Sequence, residues 1–394
     1  MVAPAREELI ARAQAMVPML RERGQEAEKL RRCPDATMQA FRDAGFFKIL
    51  HPRKYGGYEM PPSVFLEVCL EIARGCGSAA WVLGIVGVHN WQLPLFDPRA
   101  AEDVWKDDPD VLISSSYAPT GKAEPAPGGY RVSGRWSFST GCDHCTWVFL
   151  GAGVTRSGGG KDLLTFLLPV GDYRIDDNWF VTGLSGSGSK DIVVEDAFVP
   201  HYRTHSMVDA FRIDNPGAEV FPGPLYKYPF GQVFANALAA PPIGAALGMI
   251  EVFCEQTKTR NNALGVIAGG GSYVRDPSMQ MRVAEADSMA RGAQLRLLDN
   301  FAQMAAIIAR GGELPLELRA RARWDAAYSS VVGMRAADMI MEAAGGRALQ
   351  SSNYLQRAFR DVHAMRAHGA NTPEPPGRNF GGIRLGLDNV EIFL

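Results

Sequence analysis

Cysteine is scarce, with six residues (Cys33, Cys69, Cys76, Cys142, Cys145 and Cys254) in a chain of 394. That is too few for a disulfide scaffold, and a cytoplasmic chain keeps such thiols reduced. A charge excess is also missing. Lys and Arg total 41 against 43 Asp and Glu, a formal net charge of −2. A nucleic-acid binder would carry a basic footprint, and a disordered chain would combine charge imbalance with few apolar residues. Here 46% of residues are hydrophobic. The most apolar stretch, 237–250, contains Pro241 and Pro242 and falls short of the ~20 residues that a membrane span needs. The N-terminal MVAPAREELIARAQ is charged and amphipathic, without the apolar core of a signal peptide. The expectation is a globular cytoplasmic protein with no membrane and no nucleic-acid partner.

Several chemical signatures are absent too. No GxGxxG opens a helix, so a Rossmann nucleotide site is unsupported. No GxSxG elbow is present, which disfavours a serine hydrolase. Of the seven histidines, His363 and His368 stand five apart and diverge around a helix. No set has metal-ligand spacing, so no metal site is expected. His201 and His205 read as surface loop residues. Cys142-Asp-His-Cys145 lacks the second ligand pair of a zinc site and the βαβ context of a redox motif. Its plain reading is two small residues inside a strand turn.

What is present is order. Helical periodicity covers 5–32, 35–44, 63–74 and 78–90, and Asp97-Pro98-Arg99 opens another helix. From 111 to 200 short alternating runs (129–134, 147–150, 163–168, 192–194) suggest antiparallel strands. A Pro/Gly/Tyr-rich loop, 215–231, leads to long helical segments at 232–259, 278–309, 316–344 and 354–370. Glycine pairs or triplets at 269–271, 311–312 and 345–346 punctuate them. The fold class is α+β: an N-terminal helical domain (1–110), a central antiparallel β barrel or sandwich (111–214) and a C-terminal four-helix bundle (215–394). The Gly/Ser loop 183–189 is either a turn between strands or a loop that meets a cofactor's phosphate or ring edge. His89 ends an apolar run and reads as a satisfied buried histidine. His368 lies near a helix end. Composition and periodicity stop short of a reaction.

Local motifs go further. The segments Gly134-Arg-Trp-Ser-Phe-Ser-Thr140-Gly, GLSGSGSKDIVVEDAFVP from Gly183, Gly345-Gly346 and Arg360-Asp361 resemble the acyl-CoA dehydrogenase superfamily. Within it, Gly87-Val-His89-Asn-Trp91, Ile113-Ser-Ser-Ser-Tyr-Ala-Pro119, Ser139-Thr-Gly-Cys-Asp-His144 and Arg360-Asp-Val-His-Ala-Met-Arg-Ala-His368 are similar to one branch. These are the oxygenase components of two-component flavin-dependent aromatic monooxygenases, such as the secosteroid phenol hydroxylases and p-hydroxyphenylacetate hydroxylases. The tail RNFGGIRLGL resembles other members of the branch. Many dehydrogenases of the superfamily carry a catalytic Glu just after the Arg-Asp helix, and Gly369 stands at that place here.

The resemblance implies an acyl-CoA dehydrogenase-like fold and hydroxylation of a phenolic or polycyclic aromatic substrate ortho to its hydroxyl. The oxidant would be a C4a-hydroperoxyflavin formed from O₂ and reduced FMN or FAD. A separate NAD(P)H:flavin reductase would supply the flavin, and the chain would be a homotetramer. His89 and Ser115 would hold the substrate hydroxyl, and His368 would act as base or hydrogen-bond donor beside the flavin. Thr140 would contact flavin N5, with Ser139, Tyr117, Arg260, Gly345 and Gly346 also on the cofactor side. Trp91 and Phe138 would wall a dry substrate pocket, to which Tyr117 could also belong. Arg260 would meet the flavin phosphate, or else cap a helix. The alternatives are acyl-thioester dehydrogenation, oxygenation of nitrogen or sulfur, and a non-catalytic flavin carrier.

Overall fold

The computed structural model describes residues 3–155, 159–260, 272–391 and 394. The glycine triplet 269–271 and residues 261–265 beside Arg260 lie outside the described residues. Five helices open the chain: α1 (Arg6–Leu30), α2 (Asp35–Asp43), α3 (Pro62–Gly75), α4 (Gly77–Gln92) and α5 (Pro98–Trp105). Helix α4 has no polar face. Every residue from Gly77 to Gln92 is buried, as expected of a helix apolar on all sides.

The strands β1 (Ile113–Ala126), β2 (Gly129–Ser139), β3 (Trp147–Thr155), β4 (Lys161–Pro169), β5 (Arg174–Asp176), β6 (Lys190–Pro200) and β7 (Thr204–Ser206) form one sheet in the order β5-β6-β2-β1-β3-β4-β7. The sheet is mixed, which corrects the expectation of a purely antiparallel one. Strand β1 pairs parallel with β3, and the other ladders are antiparallel. Alternation along a strand reports which face is buried and carries no information on the direction of its neighbour. The β2–β6 register shifts between Trp136 and Ser139. Phe138, inside that bulge, has φ +69°, a conformation uncommon for a side-chain-bearing residue. The bulge re-aims the end of β2 toward the helices.

After the short α6 (Met207–Arg212) come α7 (Phe230–Thr257), α8 (Pro277–Ala309), α9 (Leu316–Ala344) and α10 (Tyr354–Arg366), packed as a bundle, and then α11 (Glu374–Arg384). Pro241 and Pro242 do not interrupt α7, which runs for 28 residues. Proline removes an amide donor and frees the carbonyl four residues earlier. The two freed carbonyls are covered. Asn371 Nδ2 lies 3.5 Å from the Leu238 oxygen. Gly84 packs against the Ala237 oxygen, where a Cβ would come within 2.8 Å. Helix α7 is the one described helix long and apolar enough to cross a membrane, and it is buried within the fold.

Candidate active site

His89, at the end of α4, is fully buried. Its Nδ1 lies 2.6 Å from the Ile113 carbonyl oxygen. A carbonyl can only accept, so Nδ1 carries the ring proton and Nε2 keeps its lone pair. That Nε2 is buried without a partner. Burial pushes the imidazole down to about 4, against the opposing pull of the Ile113 bond. His89 is therefore a neutral acceptor at pH 7. Ile113 begins β1, and the two-residue strand period puts Ser115 and Tyr117 on its face. The Tyr117 hydroxyl donates to Gln92 Oε1 and also bonds Ser115. Its ring centroid is 6.2 Å from that of His89.

His368 follows α10 and caps a 3-10 turn, Gly369–Asn371. The Ala370 N–H donates to its Nδ1 at 3.1 Å. A backbone N–H can only donate, so the proton of the neutral ring is on Nε2. Burial lowers this imidazole to about 4, and the nearby Arg323 charge adds to the shift. His368 is thus a neutral donor, the opposite tautomer to His89. Its ring stands edge-on to Trp81, 5.5 Å away. Trp81 and His89 are eight residues apart on α4, a separation of ~12 Å along the axis.

A cavity of about 260 Å³ lies beside His368, lined also by Trp81, Phe138, Thr140, Trp179 and Ser189. Thr140, Ser189 and Ser187 form a chain of hydroxyls with 2.8 Å links. The Gly/Ser loop, a turn between β5 and β6, supplies two of them. The loop is held by the Arg-Asp pair of α10. Arg360 donates to the Thr182 carbonyl at 2.5 Å. Asp361 accepts from the Leu184 amide at 2.7 Å and from the Ser78 amide and hydroxyl at 3.0 and 3.1 Å. Burial raises this carboxyl to about 6 even though those bonds oppose the shift.

A second cavity, about 240 Å³, is walled by Phe211, Phe230, Phe234 and Ala370, with Arg323 and Glu391 at its polar end. Phe230 and Phe234 contact the Tyr117 ring at centroid distances of 6.0 and 5.4 Å. Ala370 adjoins His368. The cavity therefore borders the His368 turn, and two rings of its wall, Phe230 and Phe234, pack on Tyr117 of the His89 group. Gly369 also lines it, at the place of the dehydrogenase glutamate.

The structure sorts the residues singled out from sequence. Ser115, Tyr117 and His89 come together, and Thr140 and His368 share a cavity. Ser139 is buried behind it, donating to Ser114 Oγ at 3.1 Å. Tyr117 stands with His89 and not beside Thr140. Phe138 is at the open lip of the Thr140 cavity, 66% exposed, so it does not wall a dry pocket in this single chain. Trp91 is buried below the site, donating to the Leu225 carbonyl at 2.9 Å and stacking on Phe230. Arg260, Gly345 and Gly346 form a separate corner. The Arg260 guanidinium donates to the last carbonyl of α9, Ala344, at 2.8 Å and covers the Tyr273 ring, as a helix cap does.

Cys142, Cys145 and His205 are all buried. Cys142 and Cys145 are free thiols, Cys142 within a 3-10 turn and Cys145 just after it. His205 is not at the surface. It is buried on β7 against Phe96, and burial lowers it to about 4. A charged-looking loop sequence concealed a strand pairing with β4. Gln92, the partner of Tyr117, and the cavity residues Phe234, Arg323 and Glu391 were not foreseen, because no local motif marks a residue that reaches the site only through tertiary packing.

Comparison with known proteins decides the family. The acyl-CoA dehydrogenase N-terminal domain family matches residues 6–95, and the acyl-CoA dehydrogenase C-terminal domain family matches residues 236–373. The oxygenase subunit HsaA, a flavin-dependent monooxygenase of Rhodococcus jostii strain RHA1, is 43% identical over 97% of this chain and 100% of its own. The chain belongs to the oxygenase components of two-component flavin-dependent monooxygenases. Another relative, the oxygenase component of the FADH(2)-dependent resorcinol hydroxylase of Rhizobium sp. strain MTP-10005, is 33% identical over 96% of this chain and 94% of its own. The crystal structure of 3-HSA hydroxylase from Rhodococcus sp. RHA1 superposes with a TM-score of 0.93 at 42% identity, covering 98% of this chain and 99% of that one. As a two-component oxygenase, the protein uses reduced flavin and works with a separate reductase.

Proposed function

We propose that the protein hydroxylates a phenol ortho to its hydroxyl, using O₂ and reduced FMN or FAD delivered by an NAD(P)H:flavin reductase. The observation that carries this reading is the unpartnered, unprotonated Nε2 of buried His89. It is an acceptor waiting for a hydroxyl proton. The resorcinol hydroxylase, a relative that acts on a phenol, supports the same class.

The residues of the Thr140 cavity fit a flavin ring. Aromatic faces (Trp81, Phe138, Trp179) surround it, and the Thr140 and Ser189 hydroxyls offer polar contacts to a ring edge. Thr140 would hold the N5 edge. Bound reduced flavin supplies the activation of O₂. The protein supplies placement and proton control. His89 Nε2, with Ser115 beside it, accepts the hydrogen bond of the phenol hydroxyl and draws its proton away from the ring oxygen as the ring becomes nucleophilic, since a phenol of pKa near ~10 is otherwise un-ionised at pH 7. His368 offers an N–H on the flavin side and acts as donor, because its Nδ1 lone pair is engaged by Ala370. Phe230 and Phe234 exclude water from the substrate side.

The reading extends to a cytoplasmic homotetramer in which the Arg260–Gly345–Gly346 corner meets the flavin phosphate of a neighbouring copy. Analytical ultracentrifugation checks the assembly. Turnover of phenols with a flavin reductase, NAD(P)H and ¹⁸O₂ checks the chemistry. The expected product is an ortho-dihydroxylated ring carrying one labelled oxygen. Reoxidation of flavin to hydrogen peroxide alone, across a phenol series, would refute it.

A further inference from the structure

The second cavity is larger than one ring requires. An apolar cavity of ~150 Å³ accommodates benzene, and this one is about 240 Å³. Its walls are apolar except at one end, where Arg323 of α9 meets Glu391 of the C-terminal segment. Both side chains are largely sheltered, 12% and 16% exposed.

The pair is built in place. Arg323 donates to the Ala370 carbonyl at 2.9 Å. The segment bearing Glu391 is fixed by two asparagines. Asn379 donates to Asn389 and accepts from the Val390 amide, both at 2.9 Å. Asn389 in turn accepts from the Glu391 amide at 3.2 Å and donates to the Glu391 carbonyl at 2.9 Å. Yet the two charges do not close on each other. Arg323 Nε and Glu391 Oε1 stand 3.8 Å apart, and Glu391 Oε2 is buried with no hydrogen bond. Leaving a buried carboxylate oxygen unsatisfied is costly. A gap of this length between a donor and an acceptor suits an inserted hydroxyl that accepts from the guanidinium and donates to the carboxylate.

We propose that Arg323 and Glu391 recognise the far end of the substrate and select a neutral phenol whose tail ends in a hydroxyl, over one ending in a methyl or a carboxylate. This rests on the phenol-hydroxylase reading. A methyl end leaves Glu391 Oε2 unsatisfied. A carboxylate end meets the like charge of Glu391, although Arg323 alone would bind it as a bidentate pair.

The test uses para-substituted phenols with straight tails of three to six carbons ending in methyl, hydroxyl or carboxylate. Dissociation constants are measured by equilibrium dialysis against the anaerobic protein with reduced FMN or FAD, and ring hydroxylation is then followed after adding O₂. At one or more tail lengths the alcohol should bind at least fivefold tighter than the alkyl phenol. In Glu391→Gln the acid-to-alcohol affinity ratio should rise at least tenfold, and Arg323→Gln should abolish that gain. Affinities that ignore the end group at every length, or a ratio unmoved in Glu391→Gln, would overturn the proposal. Selective binding without any ring hydroxylation would uphold the pair and defeat the phenol-hydroxylase reading. Unselective binding with hydroxylation would do the reverse.

Discussion

His89 and His368 present opposite tautomers: Nδ1 of the first donates to the Ile113 carbonyl, and Nδ1 of the second accepts from the Ala370 amide. Two identical side chains, both held neutral by burial, thereby become one acceptor and one donor. No change in ring chemistry is involved, only the polarity of the backbone group that each ring meets.

His89→Asn separates structure from chemistry. The Asn amide can still donate to Ile113, but the basic ring nitrogen Nε2 is gone, and the amide oxygen that remains cannot take up a proton. Hydroxylation (kcat/KM for the phenol) should fall by ~10²–10⁴, the range for loss of a general base. The melting temperature should stay within a few degrees, and flavin reoxidation should continue as peroxide release. Product formation at the wild-type rate would rule out the role.

For His368 the matching variant is His368→Asn, whose side-chain oxygen can still cap the turn at Ala370. It removes the Nε2–H. Moles of product per mole of flavin oxidised should drop at least ~10-fold, within the range seen when an aligned donor to a developing charge is lost. His368→Ala should show the same drop plus a stability loss from the missing cap. Equal coupling in both variants and the wild type would refute the donor role.

Asn371 covers the Leu238 carbonyl freed by Pro242 and also donates to the Met365 carbonyl at 2.9 Å. Asn371→Ala should cost about 1–3 kcal/mol by leaving buried acceptors unmet. Chemical denaturation measures this. The same change should lower coupling, because the turn that orients His368 loses its anchor.

Acid should destabilise the fold between pH 6.5 and 4. His51, His89 and His205 are buried, and burial lowers each to about 4. In the unfolded chain they bind protons below about 6.5. A depressed histidine therefore contributes stability above the unfolded value, and that contribution is lost as pH falls, by up to ~1.4 kcal/mol per pH unit for each. Asp361, raised to about 6, has the opposite sign: in the folded state it gains a proton first, so it offsets one histidine. The net effect should be a denaturant midpoint that falls steadily from pH 6.5 to 4.5. A flat profile would contradict the assigned neutral histidines.

Much of the fold was legible from order alone. Helical periodicity located α3, α4 and α9 to within a residue or two, since a buried stripe must recur at the helix repeat. The Gly/Ser loop and the Arg360-Asp361 pair were visible as motifs, though not as partners. The direction of β3 beside β1, the cover that Asn371 and Gly84 give the carbonyls freed in α7, and the burial of His205 were not legible, because each depends on what another segment supplies. The sequence by itself determined which residue types were available: two imidazoles, a run of hydroxyls and an aromatic wall. Only the tertiary structure decided that one imidazole faces a carbonyl and the other an amide, and that Arg323 and Glu391 close one cavity. Hydrogen-bond polarity and burial belong to the neighbours that folding brings up, and a linear pattern cannot state them.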